Sequence, residues 1–542
     1  MNQLSSASWT SLLLGTLVAC SSARSAPTRI EEPAKTDAAR VVVTRVVAAW
    51  CGTCQVLARH TGELLPPALA SQVQYVDVVV ADEDNAPASA AAGDAWRSAY
   101  ASGAEATLRT DLPMAELFDK GHRPLPWVVV QREGNDAVLA ALANPTFAVL
   151  RGVLEDALGS EHSASPGLDD GRFDAFDVAL LETMRLADRP PPDPSNEVAD
   201  DARAAAFGRR LFFDRGLSPA NVSCGSCHDP ALLLTDGKGV PPEGAGRGVR
   251  NVPSVALAGR ARWQLWDGRS DALWAQALLP FEDAAEFDSS RLFVAHAIAS
   301  RHDATYRELF GELPALEDAA RFPATGKPGD AVWSAMSATD RQAVSDVFVN
   351  VGKTLAAFER GIEVKPNALD RYLDGDLNAL DELQKDGLLA FLRAGCAQCH
   401  HGERLTDDAF HNLRFPTGHG DGGSDPGRSD GIAKLAAQEF RVDEARATAL
   451  SKPEVMAAAQ GAFKTPGLRG VAFTLPYGHG GAYGGLTSVI EAHRSCGLPA
   501  ESRLTLGECE PWVSGFQAAD APKIEAFLRA LRLDLQGATA PE

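Results

Sequence analysis

The rhythm of hydrophobic and polar positions changes several times along this chain, and each change predicts a different element. Residues 41–49 form a β-branched run suited to a buried strand, followed at once by Trp50-Cys51-Gly52-Thr53-Cys54 and a helical pattern over 55–65. A second strand is predicted over 72–80. After an Ala-rich insertion, roughly 81–117, the sequence Arg123-Pro124-Leu125-Pro126 leads into a strand over 127–131. That order, strand, C-x-x-C, helix and further strands, predicts an α/β unit over about 38–160. Residues 159–200 carry Gly159-Ser160, Ser165-Pro166-Gly167 and Pro190-Pro191-Pro192-Asp193-Pro194, which read as an extended hinge. From about residue 201 the pattern is mainly helical. At the other end, residues 12–19 make one apolar run of about eight residues, far short of the ~20 needed to span a bilayer, which reads as a signal-peptide core.

Length and composition narrow this picture. At ~150 residues per domain, 542 residues predict three or four folding units. A hydrophobic content of 45%, a charged content of 23% and a mean hydropathy of -0.13 describe an ordinary globular chain able to bury real cores. The 51 Lys+Arg against 72 Asp+Glu give a net charge of -21, which argues against nucleic-acid binding and for attraction of a basic partner.

The nine cysteines can all be placed: Cys20, the pairs Cys51/Cys54, Cys224/Cys227 and Cys396/Cys399, and then Cys496 and Cys509. Cys224-Gly-Ser-Cys227-His228 and Cys396-Ala-Gln-Cys399-His400 are c-type haem attachment patterns. Two thiols three positions apart can add to the two vinyl groups of one porphyrin, and the next imidazole then reaches the iron. Two covalently bound haem c groups are therefore expected. Zinc would need further Cys or His ligands at finger-like spacing. Cys496 and Cys509 are expected to form a disulfide, with free thiols as the alternative.

Three resemblances extend the reading. Leu17-Val18-Ala19-Cys20 resembles the lipobox of bacterial lipoproteins, which implies a signal peptide over 1–19, a lipid anchor on Cys20, a linker over 20–37 and a periplasm-facing location. Ser21 points to the outer membrane, and an ordinary secretory signal is the alternative. Residues 38–160 resemble a thioredoxin-like domain, whose cis-proline is matched by Pro126. There Cys51, at a helix N-terminus, is the expected nucleophile and Cys54 the resolving thiol toward a thiol-disulfide partner; a structural disulfide is the alternative.

The third resemblance covers about 195–535. Phe207-Gly208-Arg209-Arg210-Leu211-Phe212-Phe213-Asp214, His228-Asp229-Pro230, Arg250-Asn251-Val252-Pro253, Trp266-Asp267-Gly268-Arg269, Phe463-Lys464-Thr465-Pro466 and Pro476-Tyr477-Gly478-His479 resemble the bacterial di-haem cytochrome c peroxidase and MauG family. The resemblance implies a multidomain chain: the α/β thioredoxin-like domain, a linker over 161–200, and two mainly α-helical cytochrome c-like domains. The first, 201–365, would hold the peroxide haem through Cys224, Cys227 and His228. The second, 366–542, would hold the electron-transfer haem through Cys396, Cys399 and His400. Trp266 matches a tryptophan between the haems, a core aromatic being the plain alternative. Gln276 and Glu286 match the distal pocket, where a carboxylate serves as base and then acid in O–O cleavage; Glu282 is the nearby competitor. Asn251, with the carbonyls of Thr474 and Pro476, matches the ligands of a calcium ion.

Two departures from the family matter. No His lies between His228 and His296, so the His that blocks the peroxide haem in peroxidase members is missing, and that iron is expected to stay open. The distal ligand of the second haem, Met or Tyr in the family, falls on His493, with Met456 an outside candidate and a surface His the alternative. His401 is expected to be exposed and His479 to be structural. The implied activity is reduction of hydrogen peroxide with electrons from a small periplasmic redox protein. One alternative is a MauG-like oxidase that uses peroxide-derived high-valent haems to modify side chains of a partner protein. Another is a non-catalytic haem/thiol electron relay or redox sensor.

Overall fold

The computed structural model describes residues 40–100, 107–109, 125–133, 138–160, 168–169, 171–239, 250–417, 424–497, 502, 505–510 and 516–541. The signal and Cys20 readings, the linker over 20–37 and part of the insertion after residue 81 lie outside them.

The β-branched run is a strand, β1 (Val41–Ala48), buried along nearly its whole length because both of its edges and both of its faces are covered. It is central in a five-stranded sheet of order β3-β2-β1-β4-β5, with β2 spanning Val73–Ala81, β3 Thr107–Arg109, β4 Trp127–Arg132 and β5 Val138–Ala143. β1 pairs parallel with β2, Val41 facing Val73, and antiparallel with β4, Val46 facing Trp127. Helix Gly52–Arg59 leaves the end of β1, with Cys51 as its N-cap accepting from the Cys54 amide. The peptide bond before Pro126 is cis, and Thr53 Oγ1 donates to the Leu125 carbonyl at 3.3 Å, tying the proline loop to that helix.

The expected linker over 161–200 is only partly a hinge. Helix Ala175–Glu182 is capped at both backbone positions by Asp174 and Asp177 and buries Phe176, Leu180 and Leu181. These side chains share one core with Val41, Leu57 and Leu150 of the α/β unit and with Leu388, Phe391 and Phe527 of the chain's last third. Three buried apolar residues at helical spacing outweigh the turn residues on either side. The segment is a wedge between two units.

The first helical unit is built on Ala338–Arg360, a 23-residue helix packed against Ala202–Phe213, Leu273–Glu282 and Arg291–Arg301, with a core including Phe207, Phe281 and Phe348. The second is built on Glu382–Arg393 against Ala521–Ala530, with Leu486–Ser495 beside them. Among the described residues, no helix is long and apolar enough to cross a membrane.

The α/β unit is seated on the helical body by buried polar contacts to residues of both helical units. Asp84 accepts from Trp263 Nε1 at 2.7 Å and Arg262 Nη2 at 2.6 Å, and also pairs with Arg446. Asn85 accepts from Trp50 Nε1 at 2.8 Å and donates to the Phe410 carbonyl at 3.0 Å.

Candidate functional site

Both C-x-x-C-H sequences fold as a short 3-10 turn, Cys224–Ser226 and Cys396–Gln398, which brings the histidine amide back onto the first cysteine's carbonyl at 2.9 Å in each case. The spacing therefore puts two thiols and one imidazole on the same side of a single turn. The next residues fix each ring. His228 Nδ1 lies 2.9 Å from the Leu234 carbonyl, and His400 Nδ1 lies 3.1 Å from that of Leu405. A carbonyl can only accept, so Nδ1 carries the proton and Nε2 is left as a lone-pair donor. Burial lowers the pKa of both rings, that of His400 to about 4 with the neighbouring His493 adding to the effect, so both are neutral at pH 7.

The two turns open into one cavity of about 1510 Å³, larger than the roughly 300–1,000 Å³ of a single small-molecule site. Its wall includes Cys224, Cys227, His228, Cys396, Cys399 and His400. The four cysteines are thiols, whereas Cys51–Cys54 and Cys496–Cys509 are disulfides, as the sequence predicts for the second pair. Two pairs of thiols, each with a neutral, oriented imidazole on a shared apolar-walled cavity, fit two covalently attached haems.

Trp266, Gln276, Glu286, Asn251, Thr474, Pro476 and His493 line the same cavity. Trp266 donates from Nε1 to the Asn251 carbonyl at 2.8 Å, and its own carbonyl accepts from the Lys464 amide at 2.8 Å, so it is held from both units. The turn beside it needs Gly268, which has φ +62° and leaves a would-be Cβ 2.3 Å from Phe410 Cζ. Glu286 turns toward the cavity. The residue as a whole is exposed to the cavity, and the protein around its carboxyl raises its pKa by desolvation, Asp283 adding to the rise and Arg269 opposing it. Its competitor Glu282 is engaged by Arg291 at 3.0 Å, which removes it as a mobile proton carrier. The cavity's histidines among the described residues are His228, His400, His411, His479 and His493. His296 instead lies 3.1 Å from the Pro323 carbonyl.

His493 Nδ1 lies 2.7 Å from the Val489 carbonyl, which leaves Nε2 as its donor atom, and its ring centre stands 6.3 Å from that of His400. Two imidazoles sharing one metal at about 2.0–2.1 Å per nitrogen have ring centres roughly 6 Å apart. Met456 packs beside Ile432 and Leu450 and is not part of the cavity wall. His479 stacks on Phe463 with ring centres 3.5 Å apart.

His401 corrects an expectation. It is buried, not exposed, because the α/β unit covers it: its Nε2 lies 2.9 Å from the Trp50 carbonyl. Cys51 and Cys54 are likewise fully buried, so in this docked arrangement no external thiol reaches them. Two further groups take no role from the sequence alone, although Arg250 stands in the Arg250-Asn251-Val252-Pro253 motif. Glu359, on the long helix, is buried in the cavity wall with its pKa pushed up to about 8 by burial, hence largely protonated at pH 7. Arg250 bridges the units through Asp425 at 2.8 Å and Asp267 at 2.5 Å. Glu359 reads locally as an ordinary surface charge.

Comparison with known proteins places these observations. Residues 202–378 match the family described as di-haem cytochrome c peroxidase. The chain is 32% identical over 313 residues to the cytochrome c551 peroxidase of Pseudomonas aeruginosa, covering 56% of this chain and 80% of that protein. It is 29% identical over 328 residues to the methylamine utilization protein MauG of Methylophilus methylotrophus, covering 59% of this chain and 80% of that protein. A crystal structure of a MauG-like protein associated with microbial copper homeostasis shares 26% identity, covering 63% of this chain and 93% of that chain with a TM-score of 0.45.

Proposed function

Because this chain belongs to the di-haem cytochrome c peroxidase and MauG family, we propose that it reduces hydrogen peroxide at the cavity beside His228 and draws the electrons through the turn that carries His400. The chain is an oxidoreductase of two c-type haems. The observation that carries the residue assignment is the shared cavity: both oriented imidazoles, Trp266 between the units and an unengaged Glu286 meet there. When bound, the haems supply the redox chemistry. Cys224, Cys227 and His228 would hold one, and Cys396, Cys399 and His400 the other, with His493 as a further residue that would bind the second iron.

The protein's own part is proton handling and electron routing. Glu286 takes a proton from one peroxide oxygen and returns it to the departing oxygen, the work of a carboxyl whose pKa stands above its usual range. Gln276 orients the peroxide by hydrogen bonding. Trp266, fixed by the Asn251 carbonyl and the Lys464 amide, lies on the route between the two sites. A calcium ion is proposed between the units. Asn251 and the carbonyls of Thr474 and Pro476 would hold it, the Asn251 amide standing 2.6 Å from the Pro476 carbonyl, and together they offer the oxygen donors that a hard cation takes.

The electron donor proposed is a small basic redox protein, attracted by the charge of -21. A MauG-like oxidation of a partner's side chains is a second reading, favoured by one observation: no histidine stands between His228 and His296 in the sequence, and His296 lies at the Pro323 carbonyl and not in the cavity wall. The α/β unit is proposed to be thioredoxin-like on its strand order and the position of Pro126, and the chain to face the periplasm on a lipid anchored to Cys20.

Electron paramagnetic resonance of the oxidised holo-protein, before and after one equivalent of hydrogen peroxide, tests the reading. A high-spin signal beside a bis-histidine low-spin signal, both lost on adding peroxide, is expected. Glu286→Gln should keep both resting signals and slow their loss about 10²–10⁴-fold. Two low-spin signals indifferent to peroxide would overturn it.

A further inference from the structure

The Cys51–Cys54 pair sits against the second haem turn, not against solvent. Both sulfurs are fully buried in a cluster formed by Trp50, Leu125 and Ala409, with Cys399 packed on its edge. The contact is close: a Cβ on Gly52 would fall 2.3 Å from His401 Cγ, so only glycine lets the two chains approach. His401 Nε2 lies 2.9 Å from the Trp50 carbonyl, and the Trp50 ring meets His411 edge-on with ring centres 4.6 Å apart. Cys399 and His411 also line the cavity. A wall one residue thick therefore separates the sulfur pair from the site that would hold the second haem. Asp84 locks this arrangement with two arginines and Trp263.

A pair built for exchange with outside thiols needs an open face, and this one has none while docked. We propose that Cys51 and Cys54, as a dithiol, are an internal two-electron donor to the peroxide reaction, so that hydrogen peroxide closes their disulfide through the second haem turn. The proposal rests on the peroxide-reducing reading above. The balance is one dithiol and one hydrogen peroxide to one disulfide and two waters. Each thiol gives up one proton and one electron, the S–S bond forms, and the electrons cross the Cys399–His401 wall into the cavity. There, with the two protons, they break the O–O bond and complete two waters. The site suits the donor form: the Cys54 amide lies 3.2 Å from Cys51 Sγ at the start of helix Gly52–Arg59, which favours a thiolate there. Thiolate is the more easily oxidised form. Undocking of the α/β unit would then open the disulfide to an external dithiol reductant, making this unit the entry point for two-electron reducing power.

The test uses holo-protein treated anaerobically with dithiothreitol and freed of it by gel filtration, with electrons stored on iron counted from the absorption spectrum. One equivalent of hydrogen peroxide beyond that count is added, and the sample is quenched in acid with N-ethylmaleimide. Peptide mass spectrometry then scores Cys51 and Cys54, with Cys496 and Cys509 as the internal comparison. The expected result is closure of Cys51–Cys54 within seconds in wild type and at least tenfold slower closure in Glu286→Gln, whose α/β unit is untouched. Peroxide consumed while Cys51 and Cys54 stay alkylated would overturn the proposal. So would equal closure rates in the two proteins, which would mean direct thiol oxidation, or a disulfide that dithiothreitol cannot open in the folded protein. Wild type that consumes no peroxide would bring down the peroxidase reading and this proposal with it.

Discussion

Replacing Asp84 should loosen the α/β unit from the helical body without touching either haem site, and the size of the effect follows from its contacts. The Asp84 side chain is 3% exposed and faces Arg262 and Arg446, which are 31% and 33% exposed, together with the buried Trp263 indole. Asp84→Ala strands the indole N–H without its acceptor, a loss of about 1–3 kcal/mol. The two guanidinium groups can turn to water, so their pairs count for only about 0.5–1 kcal/mol each. Docking should weaken by about 3 kcal/mol, or roughly 100-fold in the open fraction. Because the Cys51–Cys54 disulfide is reachable only from the open form, its rate of reduction by dithiothreitol in folded holo-protein reads that fraction directly. Asp84→Ala should accelerate reduction about 100-fold. Asp84→Asn keeps an acceptor for Trp263 and should do so less. Burial alone would raise the Asp84 pKa, but Arg262, Arg446 and Arg428 outweigh it and hold it below the usual carboxylate range. The carboxylate's contribution is therefore present in full above the unfolded value near 3.9 and is lost as pH falls through the lower folded value, so reduction should be insensitive to Asp84 ionisation near neutrality. A rate in Asp84→Ala within twofold of wild type, or Asp84→Asn as fast as Asp84→Ala, would refute the docking argument.

Other consequences are testable in parallel. Peroxide turnover should fall on the acid side as Glu286 protonates, at a pH above the ordinary carboxylate range; Asp283→Asn should move that limb down and Arg269→Gln should move it up, since the first removes a repelling charge and the second an attracting one. A pH profile unmoved by either change would remove Glu286 as the base. His493→Ala should convert the low-spin signal of the oxidised protein to high-spin, and His493→Met should raise the potential of that haem by potentiometric titration, because thioether ligation favours reduced iron; an unchanged low-spin signal in His493→Ala would exclude it as a ligand. Removing divalent cations with a chelator should abolish peroxide turnover, with calcium restoring it better than magnesium and Asn251→Ala preventing the restoration; full turnover after chelation would dismiss the ion.

What could be read from the sequence follows the length scale of each interaction. The haem turns were legible because they are local: thiol, thiol and imidazole lie within five positions, and the carbonyl that orients each ring is six residues on at Leu234 and five on at Leu405. The strand β1 and its C-x-x-C helix were legible for the same reason, and the spacing that singled out His493 led to a ring 6.3 Å from that of His400. The hinge expectation fails because proline and glycine punctuation at 165–167 and 190–194 is a local signal, whereas the burial of Phe176, Leu180 and Leu181 depends on partners some two hundred residues away. His401 was misplaced because the group covering it, Trp50, is 351 positions distant, and Asp84 meets Arg446 across 362. No periodicity encodes such pairs. This separation of scales has a physical consequence. The cysteine pairs and the oriented imidazoles of His228 and His400 are made within single turns and survive small shifts between units, whereas the contact between the sulfur pair and the second haem turn exists only while the long-range pairs hold. Asp84→Ala should therefore leave both resting resonance signals in place while uncoupling thiol state from peroxide, and a variant that disturbed the signals as much as the coupling would show that the two scales are not separate.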